Sequence, residues 1–178
     1  MLFRSLFVAG WTVNPPYAFA PEDNLEYASF VRLHQGAARQ IELHHPNAQV
    51  LTAWPATDEL SKPFLGYVSK PVKVSAVQNF TLEQIQLAAQ QPETFDTAFF
   101  FSTKYEPQRR LWSPRFWKQA QKDYFDYHSD LSAATAARML GGDIVWQQDR
   151  PPLWAAIATF QRARNAEVRP PQMNADLR

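Results

Sequence analysis

Two short segments of the sequence contain the residue types that could bind a small polar ligand. Each combines an aromatic ring with charged side chains, and each directly follows an apolar run that is predicted to be a buried strand. Ligands bind beyond the carboxyl ends of the strands in open α/β sheets, so both segments lie where a site is expected. An aromatic platform with acids and cations suits a sugar or a phosphorylated head group. The candidate ligand-binding residues are Trp54, Asp58 and Glu59 in the first segment and Lys104, Tyr105 and Arg109 in the second.

Both segments also have a purely structural interpretation. Thr57, Asp58 and Glu59 suit the first turn of a helix, where acidic groups interact favourably with the helix dipole. The stretch 104–110 is compatible with a solvated loop. At the level of sequence the two interpretations stay open.

The motifs that mark common catalytic and cofactor sites are missing from the chain. The 5 glycines form neither GxGxxG nor a Walker-type loop, and no serine has the GxSxG context of a hydrolase nucleophile. His44 and His45 are adjacent and would diverge by about 100° on a helix, so they do not easily share a metal. His34 lies on an apolar helical face, and we predict a hydrogen-bonded packing role for it. We predict no metal site, no cofactor and no catalytic residue.

The composition excludes several other classes of function. The 178 residues carry a formal net charge of +1, which provides no bulk attraction to nucleic acid. The chain has no cysteine, so disulfides, zinc–thiolate sites and cysteine nucleophiles are excluded. No apolar run reaches the length of about 18 residues that indicates a membrane span.

The order of the predicted elements indicates the fold class. Three apolar runs, 48–54, 72–77 and 95–103, are predicted to be buried strands, and helices are predicted over 21–45, 55–60 and from Thr81. Thr81 and Gln84 could form a capping box. Strands alternating with helices are typical of parallel β-α-β units. Further helices are predicted over 114–127 and 131–140, with Ser132 as an N-cap and a stop at Gly141 and Gly142.

A hairpin is predicted at the C-terminal end, with strands over 143–147 and 153–161 and a turn over 148–152. The predicted fold is α/β, a three-layer open sheet with a mostly parallel core, a C-terminal antiparallel hairpin and helices on both faces. We divide the chain into an N-terminal arm or strand (1–20), a single α/β domain (21–163) and a disordered tail (164–178).

Several stretches resemble a known bacterial protein domain. They are LHQ (33–35), AAR (37–39), VLTAWPATDEL (50–60), GYVSKP (66–71) and FSTKYEP (101–107). They look like the soluble domain that follows the membrane helices in glycosyltransferases similar to the protein mannosyltransferase family (family 39-like), which use lipid-linked sugars. The resemblance covers roughly residues 24–160. It implies an extracytoplasmic appendage, and no catalytic residue carries over because the family's catalytic acid lies between membrane helices.

The leading hypothesis is a non-catalytic, membrane-associated extracytoplasmic domain that binds glycan, acceptor or partner beside a membrane-embedded glycosyltransferase portion. The first alternative is a small stand-alone enzyme, cytoplasmic or not, that acts on a sugar or phosphorylated substrate with Asp58 or Glu59 as general acid or base. The second is a protein-interaction module that uses the aromatic side chains of the predicted helix 114–127. Those side chains are Phe116, Trp117, Tyr124, Phe125 and Tyr127.

Overall fold

The computed structural model describes residues 26–105 and 129–160. The helices in these ranges are α1 (Tyr27–His44), α2 (Ala56–Ser61), α3 (Leu82–Ala89) and α4 (Ala133–Met139), with single 3₁₀ turns at Pro63–Leu65 and Pro92–Thr94. The strands are β1 (Gln49–Ala53), β2 (Lys73–Val77), β3 (Thr97–Phe101), β4 (Gly142–Arg150) and β5 (Leu153–Phe160).

The described strands form one sheet in the order β2-β1-β3-β5-β4. Strand β1 pairs in parallel with β2 on one side and with β3 on the other. Strand β5 pairs antiparallel with β3 and with β4. A parallel core followed by an antiparallel hairpin confirms the predicted α/β sheet.

The helices cover both faces of this sheet. Helix α1 packs across β4 and β5 and contacts α2, whereas α4 packs on β3, β4 and β5 and contacts α3. Successive side chains of a strand point to opposite faces. Accordingly, Phe99 contacts His34 of α1, whereas Phe100 contacts Phe80, two residues before α3 begins. Phe101, at the end of β3, contacts both His34 and Phe80.

Burial follows strand position in the sheet. All five residues of β3 are buried, as the unbroken apolar run predicts for a central strand with helices on both faces. Strand β1 is buried from Val50 to Ala53. The prediction that β2 is a third buried strand is wrong, because β2 is an edge strand and its residues Lys73 and Ala76 are exposed.

The hairpin turn is shorter than the sequence suggests. We expected a turn over 148–152, but β4 continues to Arg150, which pairs with Leu153. Only Pro151 and Pro152 lie between the strands, because a proline has no N–H to donate to the ladder. The polar residues before them remain in β4, where exposed and half-buried positions alternate as they do in a strand with one covered face.

Local signals at the helix ends are partly confirmed. The Ser132 side chain caps α4 by accepting a hydrogen bond from the Thr135 N–H (3.3 Å), and Gly141 ends that region with a left-handed φ of 76°. The predicted capping box at α3 does not form. Thr81 donates its own N–H to Asn79, while the Gln84 side chain accepts from the Gln78 N–H.

Some sequence predictions lie outside the described residues. They concern the arm 1–20, the start of the first helix before residue 26, Arg109, the aromatic helix 114–127 and the tail 164–178. Among the described helices, none combines the length and the apolar character that a membrane crossing requires.

Candidate functional site

A small cavity lies at the carboxyl end of β3. Three segments form its wall, namely 102–104 after β3, 129–132 before α4, and Pro152 with Trp154 at the hairpin. Its volume is about 290 Å³, at the lower limit of small-molecule sites. The cavity therefore has the size for one small polar group and occupies the sheet edge at which ligands bind in open α/β folds.

Backbone pairing continues past β3 and fixes one side of this cavity. The Ser102 N–H donates to the Trp154 carbonyl (3.0 Å), and the Trp154 N–H donates to the Ser102 hydroxyl (2.9 Å). These two bonds pair Ser102 with β5 and fix the backbone of Trp154 near the start of that strand.

Asp130 fixes the opposite side. One carboxylate oxygen accepts from the Phe80 N–H (3.0 Å), and the other accepts from the Thr103 hydroxyl. The Leu131 N–H in turn donates to the Phe80 carbonyl (2.9 Å). Since Phe80 is fully buried, these bonds anchor the segment before α4 to the core.

The cavity wall offers both polar and apolar contacts. Hydroxyl groups come from Ser102, Thr103, Ser129 and Ser132, a carboxylate from Asp130, an ammonium from Lys104 and an indole from Trp154. A sugar ring presents hydroxyls at its rim and apolar C–H groups on its faces. A rigid wall with hydrogen-bonding groups and one aromatic ring suits that chemistry.

A second polar cluster is buried under α1. The Nδ1 atom of His34 lies 2.5 Å from Oε2 of Glu59, and the two residues are only 1% and 6% exposed. The Tyr67 ring, in the segment that follows α2, packs against the same core. Burial raises the pKa of the Tyr67 phenol above its ordinary value, and the negative charge of Glu59 raises it further. The His34–Glu59 contact thus joins α1 and α2, and the carboxylate of Glu59 interacts electrostatically with the phenol of Tyr67.

Aromatic rings surround the imidazole of His34. The ring centroids of Phe30, Phe101 and Phe99 lie 3.9, 4.4 and 5.2 Å away. The Nε2 atom is buried and has no hydrogen-bond partner within the described part of the chain. His34 is a hydrogen-bonded packing residue, in agreement with the role predicted from its place on the apolar helical face.

The six candidate residues occupy different surroundings. Trp54 is 67% exposed, Asp58 forms an ion pair with Lys62 (2.9 Å), and Glu59 is buried against His34. Lys104 lines the cavity, and its neighbour Tyr105 is buried with 8% exposure. Arg109 lies outside the described residues. The cavity after β3 therefore includes Lys104, while the segment after β1 does not contribute to its wall.

Sequence reasoning did not identify Asp130 and Trp154 as site residues. They lie 27 and 51 positions from Thr103 along the chain, and only the fold brings them together. Ser132 was identifiable as a helix cap, but nothing local indicated that it borders a cavity. Within the described ranges, no group of three or more His, Asp or Glu side chains is arranged to hold a metal ion.

Within the described residues, the protein is a mixed α/β domain, and a small polar cavity lies at the carboxyl end of β3. No family model matches the chain, and no curated protein or solved structure matches it either. The geometry and the residue-level resemblance are therefore the basis of the functional proposal.

Proposed function

We propose that this chain is a non-catalytic carbohydrate-binding domain that acts beside a membrane glycosyltransferase using lipid-linked sugars. The cavity beyond β3 holds one sugar unit of the glycan, acceptor or lipid-linked donor. The observation that carries the proposal is the cavity itself, a rigid recess of about 290 Å³ lined by an indole, hydroxyl groups and charged groups.

The construction of the cavity supports binding. Trp154 and Asp130 are held by backbone hydrogen bonds rather than by solvent-exposed contacts alone. Binding then orders few side chains, which lowers the entropic cost of holding a small ligand. Trp154 provides the apolar surface for the C–H face of a sugar ring, and the surrounding hydroxyls can exchange hydrogen bonds with its rim.

The state of the two acids after β1 supports a role without catalysis. Glu59 is buried, and its carboxylate accepts a hydrogen bond from His34. Asp58 is paired with Lys62 on the surface of α2. A general acid or base must reach a substrate proton directly or through one water, so Glu59 is poorly placed for that task.

The stretches that carry the resemblance to the glycosyltransferase appendage support the location. The stretch 50–60 includes β1 and α2, and the stretch 101–107 includes the end of β3 and Lys104. Both reach the strand-end edge. In this proposal the domain is extracytoplasmic, lies close to the membrane and has the membrane-embedded glycosyltransferase portion as its partner.

Sugar binding is tested by saturation-transfer NMR and calorimetry on the full chain. The ligands are methyl hexopyranosides and, in detergent, a polyprenyl-phosphate-linked hexose. Trp154→Ala is expected to weaken binding at least about tenfold, because it removes the only aromatic ring of the described cavity wall. The matched control is Trp54→Ala, which removes an exposed tryptophan outside that wall.

Two outcomes would contradict the proposal. One is no detectable binding of any free or lipid-linked sugar by the wild-type chain. The other is equal loss of binding in the Trp54→Ala and Trp154→Ala variants at unchanged stability, which would place the site after β1 instead.

A further inference from the structure

The segment that connects α2 to β2 forms a compact loop over residues 62–71. Its two ends meet where the Val72 N–H donates to the Leu60 carbonyl (2.9 Å). At its tip, Phe64 is 83% exposed and Leu65 is 43% exposed. A phenylalanine with so little contact to its own protein loses the benefit of apolar burial, so the exposure calls for a physical reason.

The tip of this 62–71 loop has a defined conformation. The Gly66 N–H donates to the Pro63 carbonyl (2.9 Å), and Gly66 adopts a left-handed φ of 82° that closes the 3₁₀ turn. The Leu65 N–H donates to the Lys62 carbonyl (3.0 Å). The two apolar side chains are therefore presented outward by a closed turn.

Three contacts hold the returning arm of the loop on the domain. The Tyr67 ring packs against the core, Val68 is 5% exposed in the core, and the Ser69 N–H donates to the Glu42 carboxylate (2.7 Å). The Ser69 hydroxyl donates to the same oxygen of Glu42. The loop is tied to α1 and α2, so Phe64 cannot turn inward without breaking these bonds.

Positive charge accompanies the apolar tip. Between Glu59 and Glu83 the charged residues are Lys62, Lys70 and Lys73, and none is acidic. Lys62 is paired with Asp58, an exposed ion pair of small net strength. Lys70 and Lys73 are exposed at the base of the loop. The Glu42 carboxylate bound by Ser69 interacts with Lys70 and offsets part of its charge, so Lys73 adds most to the attraction for an anionic surface.

We propose that the 62–71 loop docks on an anionic lipid bilayer, with Phe64 and Leu65 inserted at the interface and the lysines at the level of the head groups. The tip has only two large apolar residues, whereas a stable protein interface needs about 20–30 residues on each side. A bilayer accepts a small apolar tip without a complementary shape, and lysines strengthen the contact through anionic head groups. This inference does not depend on sugar binding, which uses a different part of the domain.

The first test is co-sedimentation of the full chain with phosphatidylglycerol vesicles and with phosphatidylcholine vesicles. The wild-type chain is expected to prefer the anionic vesicles, and added salt is expected to weaken binding. The double variant Phe64→Ser/Leu65→Ser is expected to lower the partition coefficient at least about tenfold. Lys73→Gln is expected to lower it about fivefold.

The matched control is Leu87→Ser on α3, where Leu87 is 50% exposed but stands on a different element. It is expected to bind vesicles as the wild type does. Equal binding by the wild type and the Phe64→Ser/Leu65→Ser variant would overturn the proposal. So would no binding of the wild type to phosphatidylglycerol, which would leave an acidic protein as the partner of these lysines.

The second test uses the absence of cysteine in the chain. Leu65→Cys and Leu87→Cys each introduce a single site for an environment-sensitive dye such as NBD. On phosphatidylglycerol vesicles the dye at position 65 is expected to become brighter and shift to the blue, and the dye at position 87 is expected to stay unchanged. A response that is equal at both positions contradicts docking through the 62–71 loop.

Discussion

Nδ1 of His34 and Oε2 of Glu59 lie 2.5 Å apart in the interior of the domain, although the two residues are 25 positions apart in the chain. His34 belongs to α1 and Glu59 to α2, so this contact joins the two helices on one face of the sheet. The same carboxylate interacts electrostatically with the phenol of Tyr67, which belongs to the 62–71 loop.

Glu59→Gln tests this contact. The amide keeps nearly the same size but removes the charge that strengthens the hydrogen bond from His34. We expect the free energy of unfolding to fall by about 1–3 kcal/mol, the range for a hydrogen bond to a buried charged group. Urea denaturation at neutral pH measures the loss. The control Glu93→Gln changes an exposed carboxylate and is expected to cost less than about 0.5 kcal/mol.

A loss in Glu59→Gln no larger than that in Glu93→Gln would contradict a stabilising role for the contact. The same experiment bears on catalysis. If any sugar-transforming activity were found, retention of that activity in a folded Glu59→Gln variant would exclude this carboxylate as its general acid or base.

The raised pKa of Tyr67 predicts a pH dependence of stability. Its pKa in the folded state lies above its ordinary value of about 10, so the folded chain holds the phenolic proton more tightly than the unfolded chain does. The stabilisation is fully present below about pH 10 and is lost as the pH rises from there towards the folded-state pKa. The denaturation midpoint of the wild type should therefore fall with pH above about 10.

Tyr67→Phe provides the comparison, because it removes the titrating hydroxyl and keeps the ring. Urea midpoints of both proteins are measured from neutral to strongly alkaline pH. The variant is expected to decline less steeply above about pH 10, because it has no phenol to ionise. Parallel curves for the two proteins would mean that Tyr67 does not contribute to the alkaline loss of stability.

The glycine pair at the start of β4, Gly141 and Gly142, offers a test of packing. A Cβ on Gly142 would lie 2.4 Å from the Phe160 ring and 2.5 Å from the Thr159 carbonyl oxygen, and that oxygen belongs to a paired strand. Gly142→Ala is expected to cost about 3 kcal/mol through overpacking. Gly141→Ala has no atom within 4 Å of the new Cβ and is expected to cost about 1 kcal/mol, because its φ of 76° is strained for an L residue.

Thermal and urea denaturation of the two variants provide the comparison. Similar losses in Gly141→Ala and Gly142→Ala would show that β4 and β5 can separate to admit a methyl group. The expected difference would instead support the close pairing of Gly142 with Phe160.

Features that depend on neighbours in the chain were predictable from sequence. The apolar run at 95–103 indicated the central strand. The N-cap of α4 was indicated by Ser132, and the end of α4 by the glycines that follow it. Each rests on local backbone chemistry or on a run of side chains of one type, and both are visible within a few residues.

Predictions that needed a sheet order were less successful. The run 72–77 resembles a buried strand, yet β2 is half-exposed because, among the described strands, it lies at the edge of the sheet. Likewise, Trp54 and Lys104 both follow strands at the same edge, but only Lys104 borders the cavity. The end of β4 was predicted too early, at residue 147 instead of Arg150, because a run of polar residues in an edge strand resembles a turn in sequence.

The sequence by itself determined that this protein forms an α/β sheet with a C-terminal hairpin, because side-chain periodicity and proline and glycine chemistry act over short distances. Only the tertiary structure decided which polar groups meet. It buried Glu59 against His34, placed Asp130 and Trp154 beside Lys104, and left Phe64 in solvent. These outcomes depend on contacts between residues far apart in the chain, and their energies arise when the helices pack on the sheet.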